Sequence, residues 1–572
     1  MTVRRLAYLV LVLACCAAPL GLLWRALAEG GWTAAEILIL ALAALLAPWI
    51  ATLGASGMVG FAVLMRRRDP LRTVWPEVVL DGEAPITLDT ALLLCLRSED
   101  TAAALARTRP LLDALEARGV GDRFTLVVLS DTQDPAHAAA EEAEVESFRA
   151  ALSSPRRLRY RRRRDNEGFK AGNVMEFARH RSDGFEAMIT LDADSVMTAE
   201  TVLRLVRLLQ ANPGVALVQT LIVAQPTEAA FPRLFQFGMR HGMRAYAAGI
   251  AWWQGADGPY WGHNAIIRVA PFRDHAVLPT LPNGARILSH DQVEAALLRG
   301  AGWEVRLDPL EQGSYEANPP TLLEFLRRDV RWMAGNLQYF ALLRLPMFST
   351  LGRVQLLLAI LLFLFSPIVA GIAVAALANA LDPSAEAAVS APHGIAATAL
   401  FAALFFAPKL LGALEVSLKR AARRRWGGGP RLACGVAAEF LFYLLLLPIS
   451  VLNQTVEMAA MALGRRVGWA AQAREDRRVP VAVATRALWW HSGLGAALLA
   501  GFAAAGTAPF LWALPFLAGA ALAIPFCVLT AEPALGRRMA RSGLCAMPEE
   551  LDPASPFAPR RQPQSGSGVR LA

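Results

Sequence analysis

The sequence predicts an α/β domain with a doubly wound parallel sheet, inserted between groups of apolar helices that cross a membrane. Three observations carry this expectation. Apolar runs of about 20 residues, the length that spans a bilayer, recur towards both ends of the 572 residues. Between them lies a stretch of ordinary soluble composition in which short apolar strands alternate with amphipathic helices. Third, 55% of residues are hydrophobic and the mean hydropathy is +0.37, which excludes a single water-soluble globule. The formal charge of +9 does not point to nucleic acid, because the arginines cluster beside apolar segments, as they do at cytoplasmic membrane flanks. Six cysteines, Cys15, Cys16, Cys95, Cys434, Cys527 and Cys545, show no Cys-x-x-Cys spacing, so neither a disulfide framework nor a zinc site is expected.

In chain order, residues 6–24 form the first expected span, after Arg4-Arg5. A cleaved signal peptide ending near Leu13-Ala14-Cys15 fits less well, because the apolar run continues past the cysteine. The second span, 34–65, ends in Arg66-Arg67-Arg68. By the positive-inside rule these arginines are cytoplasmic, so residues 1–68 hold two spans and the next domain is cytosolic.

The soluble part is expected over 73–338. Its strands are the continuous apolar runs 91–96, 124–129 and 187–191, of the kind buried in a parallel sheet. Each ends in acid: Arg97-Ser98-Glu99-Asp100, Ser130-Asp131 and Asp192-Ala193-Asp194-Ser195. Ligands of doubly wound sheets bind outside these carboxyl ends. Two carboxylates one residue apart suit magnesium or manganese, hard cations that take one or two protein oxygens and the rest from water and phosphate.

Between the second and third strands, Arg161-Arg162-Arg163-Arg164 reads as a solvated basic loop or a phosphate contact. Lys170, near glycines and just before a helix, is better placed to meet phosphate. No Walker-type sequence is present. Trp252-Trp253 and Tyr260-Trp261-Gly262-His263-Asn264 set aromatics beside glycines and amides, an arrangement suited to stacking on sugar rings as well as to core packing. Asp291, in Ser289-His290-Asp291, opens an expected helix over 292–299, either as an N-cap or as a general base. Arg331 and Trp332 close the domain as a membrane-surface flank or as a phosphate contact with its aromatic neighbour.

Over 339–531, apolar segments recur at 354–380, 395–418, 432–463, 487–505 and 509–529. The loop 381–390, with Asp382 and Glu386, reads as periplasmic, and the basic stretch 419–425 as cytoplasmic. The basic stretches 465–478 and 537–541 share one side only if 432–463 lies in the interface or forms a hairpin turning near Pro448. The hairpin reading gives two spans before the domain and six after it, eight in all. Lys409, Glu415 and Glu439 fall in or near spans, where charge marks helix pairing or a polar path. The cytosolic tail 532–572 is expected to be largely disordered, being rich in proline, serine and glycine from 553 onward.

Taken together, Asp131, Asp192-Ala193-Asp194, an acid opening a later helix, and Arg-x-x-Arg-Trp before a membrane region resemble the processive inverting glycosyltransferases of family two. That group holds the cellulose and hyaluronan synthases. Lys170-Ala171-Gly172-Asn173, Trp261 through Arg268, Ser289-His290-Asp291 and Gly335-Asn336-Leu337-Gln338 resemble the branch that builds osmoregulated periplasmic glucans from UDP-glucose. The resemblance runs over about 91–550. It implies a glucosyltransferase of the bacterial inner membrane, multi-pass with its catalytic domain cytosolic, using UDP-glucose with Mg2+ or Mn2+. Its partners would be a growing glucan acceptor, membrane lipid and periplasmic glucan-modifying proteins, with no nucleic acid.

Carried over, Asp131 would sit by the uridine, with Glu99 and Lys170 also on the nucleotide side. Asp194 would hold the metal on the diphosphate beside Asp192, Asp291 would be the base, Arg331 would meet the diphosphate, and Trp332 would line the acceptor site. Two departures touch this scheme: Ser98 stands where the family pattern has asparagine, and Met333-Ala334 replaces a more polar pair. A cellulose- or hyaluronan-type synthase is the alternative. Against it, Ser289-His290-Asp291 departs from a Thr-Glu-Asp pattern and no cyclic-dinucleotide-binding module follows the membrane region. A non-catalytic transporter or scaffold would have no need of Asp194, Asp291 and Trp332 together.

Overall fold

The computed structural model describes residues 2–29, 32–66, 69–382, 391–465, 477–552, 555 and 557. Ten strands form between the second and the next long apolar helix: β1 Thr90–Leu96, β2 Phe124–Ser130, β3 Leu158–Arg162, β4 Ala187–Leu191, β5 Val196–Met197, β6 Val215–Thr220, β7 Val223–Ala224, β8 Ala265–Arg268, β9 Glu304–Asp308 and β10 Ser314–Glu316. Seven make one sheet in the order β3-β2-β1-β4-β8-β6-β9. The expected strands are its centre: β1 lies parallel between β2 and β4. Leu92, Leu93 and Leu94 are buried from both faces, as a strand covered by helices on each side must be. Of the acids after these strands, Asp100 also starts a helix. Asp100 Oδ1 accepts from Ala103 N–H at 2.9 Å, an N-cap that satisfies one of the orphan donors of Thr101–Ala117.

The sheet is mixed, which corrects the expectation of an all-parallel one. β8 runs antiparallel to both β4 and β6. Its first residue, Ala265, pairs with Thr190 at the carboxyl end of β4, and Asn264 N–H donates to Thr190 O at 2.7 Å. After the helix Ala230–Gln254 the chain enters β8 from the carboxyl end of the sheet and runs back against its neighbours. This reversal sets Trp261-Gly262-His263-Asn264 beside Asp192. The basic stretch after β2 is not a solvated loop either: Arg161 and Arg162 lie in β3, Arg161 pairs with Glu176 at 2.6 Å, and Arg163 is buried. A second sheet, β5-β10-β7, was not expected. In it Tyr315 pairs with Val196 and Ser314 with Met197, so β10 lies against the residues that immediately follow Asp194-Ser195.

Among the described residues six helices are long and apolar enough to cross a membrane, or seven if the pair Thr507–Ala521 and Ala523–Thr530, bent by 55°, is one span. The expected hairpin does not form: Gly429–Ala462 is one continuous helix with Pro448 inside it, and the count of eight falls with it. Arg67, Arg68, the loop 383–390, most of the basic stretch 465–478 and nearly all of the tail after 552 lie outside the described residues. The start of the first helix rests on the domain, where Arg4 Nη1 donates to Val74 O at 3.0 Å and Arg5 meets Asp257 at 2.6 Å.

The domain is fastened to the membrane helices by Ala230–Gln254. It meets Ala34–Met65 so closely that a Cβ on Gly60 would lie 1.6 Å from Ala245 O; any side chain there would push the pair apart. The intramembrane charges serve the same docking. Glu415 pairs with Arg244 of this helix at 2.8 Å and with Lys419 at 2.7 Å, and Lys409 pairs with Glu439. Trp253 is likewise structural and not a sugar platform: it is buried and stacked on Tyr8 of the first helix, with centroids 4.5 Å apart.

Candidate active site

The site forms where the carboxyl ends of β1, β2 and β4 meet the turn before β8. Asp192 and Asp194 leave the end of β4 in a tight turn. Ser195 N–H donates to Asp192 O at 3.0 Å, and Asp192 N–H donates to Ser195 Oγ at 2.9 Å, which holds the two carboxylates in a closed frame. His263 braces it: its Nδ1 lies 3.2 Å from Ser195 Oγ and its Nε2 lies 3.2 Å from Glu316. Burial opposes charge on this imidazole, but Asp192 and the hydrogen-bonded Glu316 outweigh it and raise its pKa to about 9. The Asp194 carbonyl accepts from Gln225 Nε2, while Gln225 N–H donates to Glu316 O at 2.8 Å.

Gly262 is the hub. Its φ of +87° is a left-handed conformation that glycine adopts without strain. Its carbonyl accepts from Lys170 Nζ at 2.9 Å and from Tyr260 OH at 3.0 Å. A Cβ built on it would lie in ordinary contact with Asp291, 3.8 Å from its Oδ2. Lys170, on Phe169–His180, also pairs with Asp192. Burial works against its ammonium, but Asp192, Cys95 and Asp291 outweigh that and hold its pKa above the ordinary lysine value. Lys170 therefore links Asp192, Gly262 and the charge of Asp291 in one place, although 121 residues separate Lys170 from Asp291.

Asp291 is the first residue of the helix Asp291–Gly300 and is partly exposed. The turn before it is splinted from Leu322–Leu337 and the residues after it. Gln338 Oε1 accepts from Leu288 N–H at 2.8 Å, Gln338 Nε2 donates to Arg286 O at 3.1 Å, and Tyr339 OH donates to Ser289 O at 2.9 Å. This is the structural role of the Gly335-Asn336-Leu337-Gln338 run.

On Leu322–Leu337, Arg328 and Arg331 are one turn apart and share a helix face. Arg328 feels the charges of Glu316, Asp329 and Asp194, and its guanidinium lies 4.5 Å from the centre of the Trp332 ring. Trp332 is 48% exposed, with Arg328 over one face of its ring. Sequence reasoning picked Arg331 and passed over Arg328, although the Arg-x-x-Arg spacing marks both. It also gave no role to His263, Glu316 or Gln225, which no local pattern ties to Asp194.

Asp131 and Glu99 stand differently. The Asp131 carboxylate is buried and clamped by Arg163, with Nε to Oδ1 at 2.7 Å and Nη2 to Oδ2 at 2.8 Å, and by Asn173 Nδ2 at 2.9 Å. Burial raises its pKa above the ordinary aspartate value, with Arg163 and Asn173 working the other way. It forms the floor between β2 and Phe169–His180. Glu99 accepts from the Arg97 N–H, closing the turn after β1, where Ser98 takes a φ of +59°.

Among the described residues no three His, Cys, Asp or Glu side chains cluster as a metal cage. A hard cation bridging one or two carboxylates to a diphosphate needs no such cage. The oxygen donors of the Asp192–Asp194 turn, fixed by Ser195 and partly exposed, fit that kind of cation and not a soft, thiolate-seeking one.

Comparison with known proteins shows the family to which this chain is similar. Residues 187–414 match the family described as glycosyl transferase family group 2. The glucans biosynthesis glucosyltransferase H of Caulobacter vibrioides is 35% identical over 561 residues, covering 93% of this chain and 83% of that one. The protein of the same name from Rhodopseudomonas palustris is 36% identical over 573 residues, covering 96% and 79%. That of Xanthomonas campestris pv. campestris is 35% identical over 555 residues, covering 93% and 84%.

Proposed function

Because the chain belongs to glycosyl transferase family group 2, within the family of the glucans biosynthesis glucosyltransferases H, we propose that it is an inner-membrane, processive, inverting glucosyltransferase. In this reading UDP-glucose is the donor and the product is the β-glucan backbone of osmoregulated periplasmic glucans. The catalytic domain faces the cytosol, consistent with Arg4 and Arg5 resting on it at the start of the first helix. The observation that carries the reading is Lys170, which pairs with Asp192 and donates to the carbonyl of Gly262, the residue beside Asp291 in space.

The chemistry is one displacement. Asp291 takes the proton of an acceptor hydroxyl as its oxygen attacks the anomeric carbon; the new C–O bond forms on the face opposite the breaking bond to the diphosphate, and UDP leaves with that electron pair. Asp194, with Asp192, would hold Mg2+ or Mn2+, which when bound supplies charge stabilisation on the diphosphate. Lys170 and Arg331, with Arg328 beside it, place fixed positive charge where the leaving group gains negative charge, and do so without reorganisation. Trp332 offers its open ring to an acceptor sugar, the apolar face of a pyranose suiting an aromatic plane. Asp131 and Glu99 shape the nucleotide end, Asp131 through Arg163 and Asn173.

The test is UDP release from membrane-reconstituted protein supplied with UDP-glucose and Mg2+ or Mn2+, with product sized after β-glucanase digestion. Release with glucose incorporated into a β-glucanase-sensitive polymer is expected. Turnover with another UDP-sugar and none with UDP-glucose would overturn the donor assignment.

A further inference from the structure

The last described part of the chain returns from the membrane helices to the catalytic domain. After the helix Pro533–Ser542, Cys545 and Met547 are buried and Glu549 is nearly so. Glu550 accepts from Arg233 Nη1 at 2.7 Å. Glu549 accepts from Arg240 Nη1 at 2.5 Å and Nη2 at 2.8 Å, and from Tyr315 OH at 3.2 Å. Phe557 packs edge-on against the same tyrosine, with ring centroids 5.0 Å apart.

Tyr315 is the centre of the small sheet. It pairs on one side with Val196, the residue after Asp194-Ser195, and on the other with Val223. Its neighbour Glu316 points to the opposite face of the strand and there meets His263, which meets Ser195. Three strands of two or three residues each are too short to be stable unless packed against something else. On the Tyr315 face, the C-terminal segment supplies that packing.

We infer that the segment around Glu549 is the outer clamp of the strand that frames the Asp192–Asp194 turn, and that Glu549 is a positioning residue for the metal and donor site. Resting as it does on the donor-site reading above, the inference deepens that reading. The carboxylate holds Tyr315, Tyr315 holds β10 against β5, and β10 fixes Glu316 under His263. Loss of the clamp loosens the frame, which weakens cation and donor binding more than it slows the chemical step.

Two readouts on the full-length reconstituted protein test this: Mn2+ affinity in the presence of UDP by electron paramagnetic resonance, and KM against kcat for UDP release. Glu549→Ala is expected to weaken Mn2+ binding and raise the donor KM about tenfold, with kcat within about twofold. Glu549→Gln, which keeps an acceptor for Tyr315 OH, should restore both to within about twofold of wild type. Tyr315→Phe, which removes only the hydroxyl and keeps the packing, should show about a threefold effect, and it serves as the test if Glu549→Ala does not fold. Glu550→Ala releases the same segment from Arg233 without touching Tyr315 and should leave both readouts near wild type. Wild-type Mn2+ affinity and KM in Tyr315→Phe and Glu549→Ala would overturn the inference, as would a Glu550→Ala effect equal to that of Glu549→Ala. The Mn2+ measurement needs no glucose transfer, so a wrong donor assignment would leave it readable.

Discussion

The two faces of the small sheet carry two clusters of charge built to different rules. On the Tyr315 side, Arg240, at 1% side-chain exposure, lies between Glu311 and Glu549, and Arg244 joins Glu311 to Glu415. Every carboxylate there has a guanidinium, and the cluster is largely buried. On the Glu316 side, Lys170 and Asp192 keep 25% and 33% exposure and Trp332 lies open. The first cluster is closed and holds shape. The second leaves room for a charged ligand to displace protein partners, and it is in the second that function resides.

The largest effect on stability should come from the closed side. Arg240→Met leaves Glu311 and Glu549 without their main partner and should cost about 3–5 kcal/mol, read as a fall in the unfolding midpoint in detergent. On the open side, Asp194→Asn should lower UDP release by about 100-fold, about 2.7 kcal/mol in the barrier, with the unfolding midpoint unmoved. A lowered midpoint in Asp194→Asn, or an unchanged one in Arg240→Met, would erase the distinction. Lys170→Gln should raise the donor KM about tenfold, about 1.4 kcal/mol, and leave the fold intact.

The closed side also sets a dependence of stability on acid. Burial works to raise the Glu311 pKa, but Arg240 and Arg244 outweigh it and hold it down at about 2. A carboxylate depressed in the folded state adds stability above its ordinary value, near 4.5, and that part is lost as pH falls from there towards 2. A denaturation series over that window should show the loss in wild type and a shallower slope in Glu311→Gln.

How much of this was legible from sequence follows the range of the interactions. β1, β2 and β4 are continuous apolar runs, and their terminal acids are local signals, so the sheet centre and Asp131, Asp192 and Asp194 could be read directly. β5, β7 and β10 are two or three residues long and gain stability from one another, from the C-terminal segment and from distant residues such as Thr220 and Asn264, so no window of sequence shows them. His263 and Glu316 lie far from Asp194 in sequence; the antiparallel entry of β8 brings His263 to it, and the pairing of β10 with β5 brings Glu316. The continuous helix Gly429–Ala462 was misread because the charge rule was applied to the basic stretches around it, and proline within a long apolar helix is tolerated when neighbouring helices pack against it. Trp252 and Trp253 have the composition of a sugar platform, but Tyr8, more than 240 residues away, covers Trp253.

The central claim is that Asp291 acts as a base at an open site and does not serve as a structural cap. The structure answers the cap reading directly: the N-cap of this helix is His290 and no side chain makes a capping bond, so Asp291→Asn keeps the size of the side chain and removes only its basicity. Measured beside wild type in the same vesicles, it should bind Mn2+ and UDP normally, unfold at the same temperature, and release UDP from UDP-glucose at least about 100-fold more slowly. Glucan synthesis at the wild-type rate by Asp291→Asn would contradict the account and remove Asp291 from the chemistry.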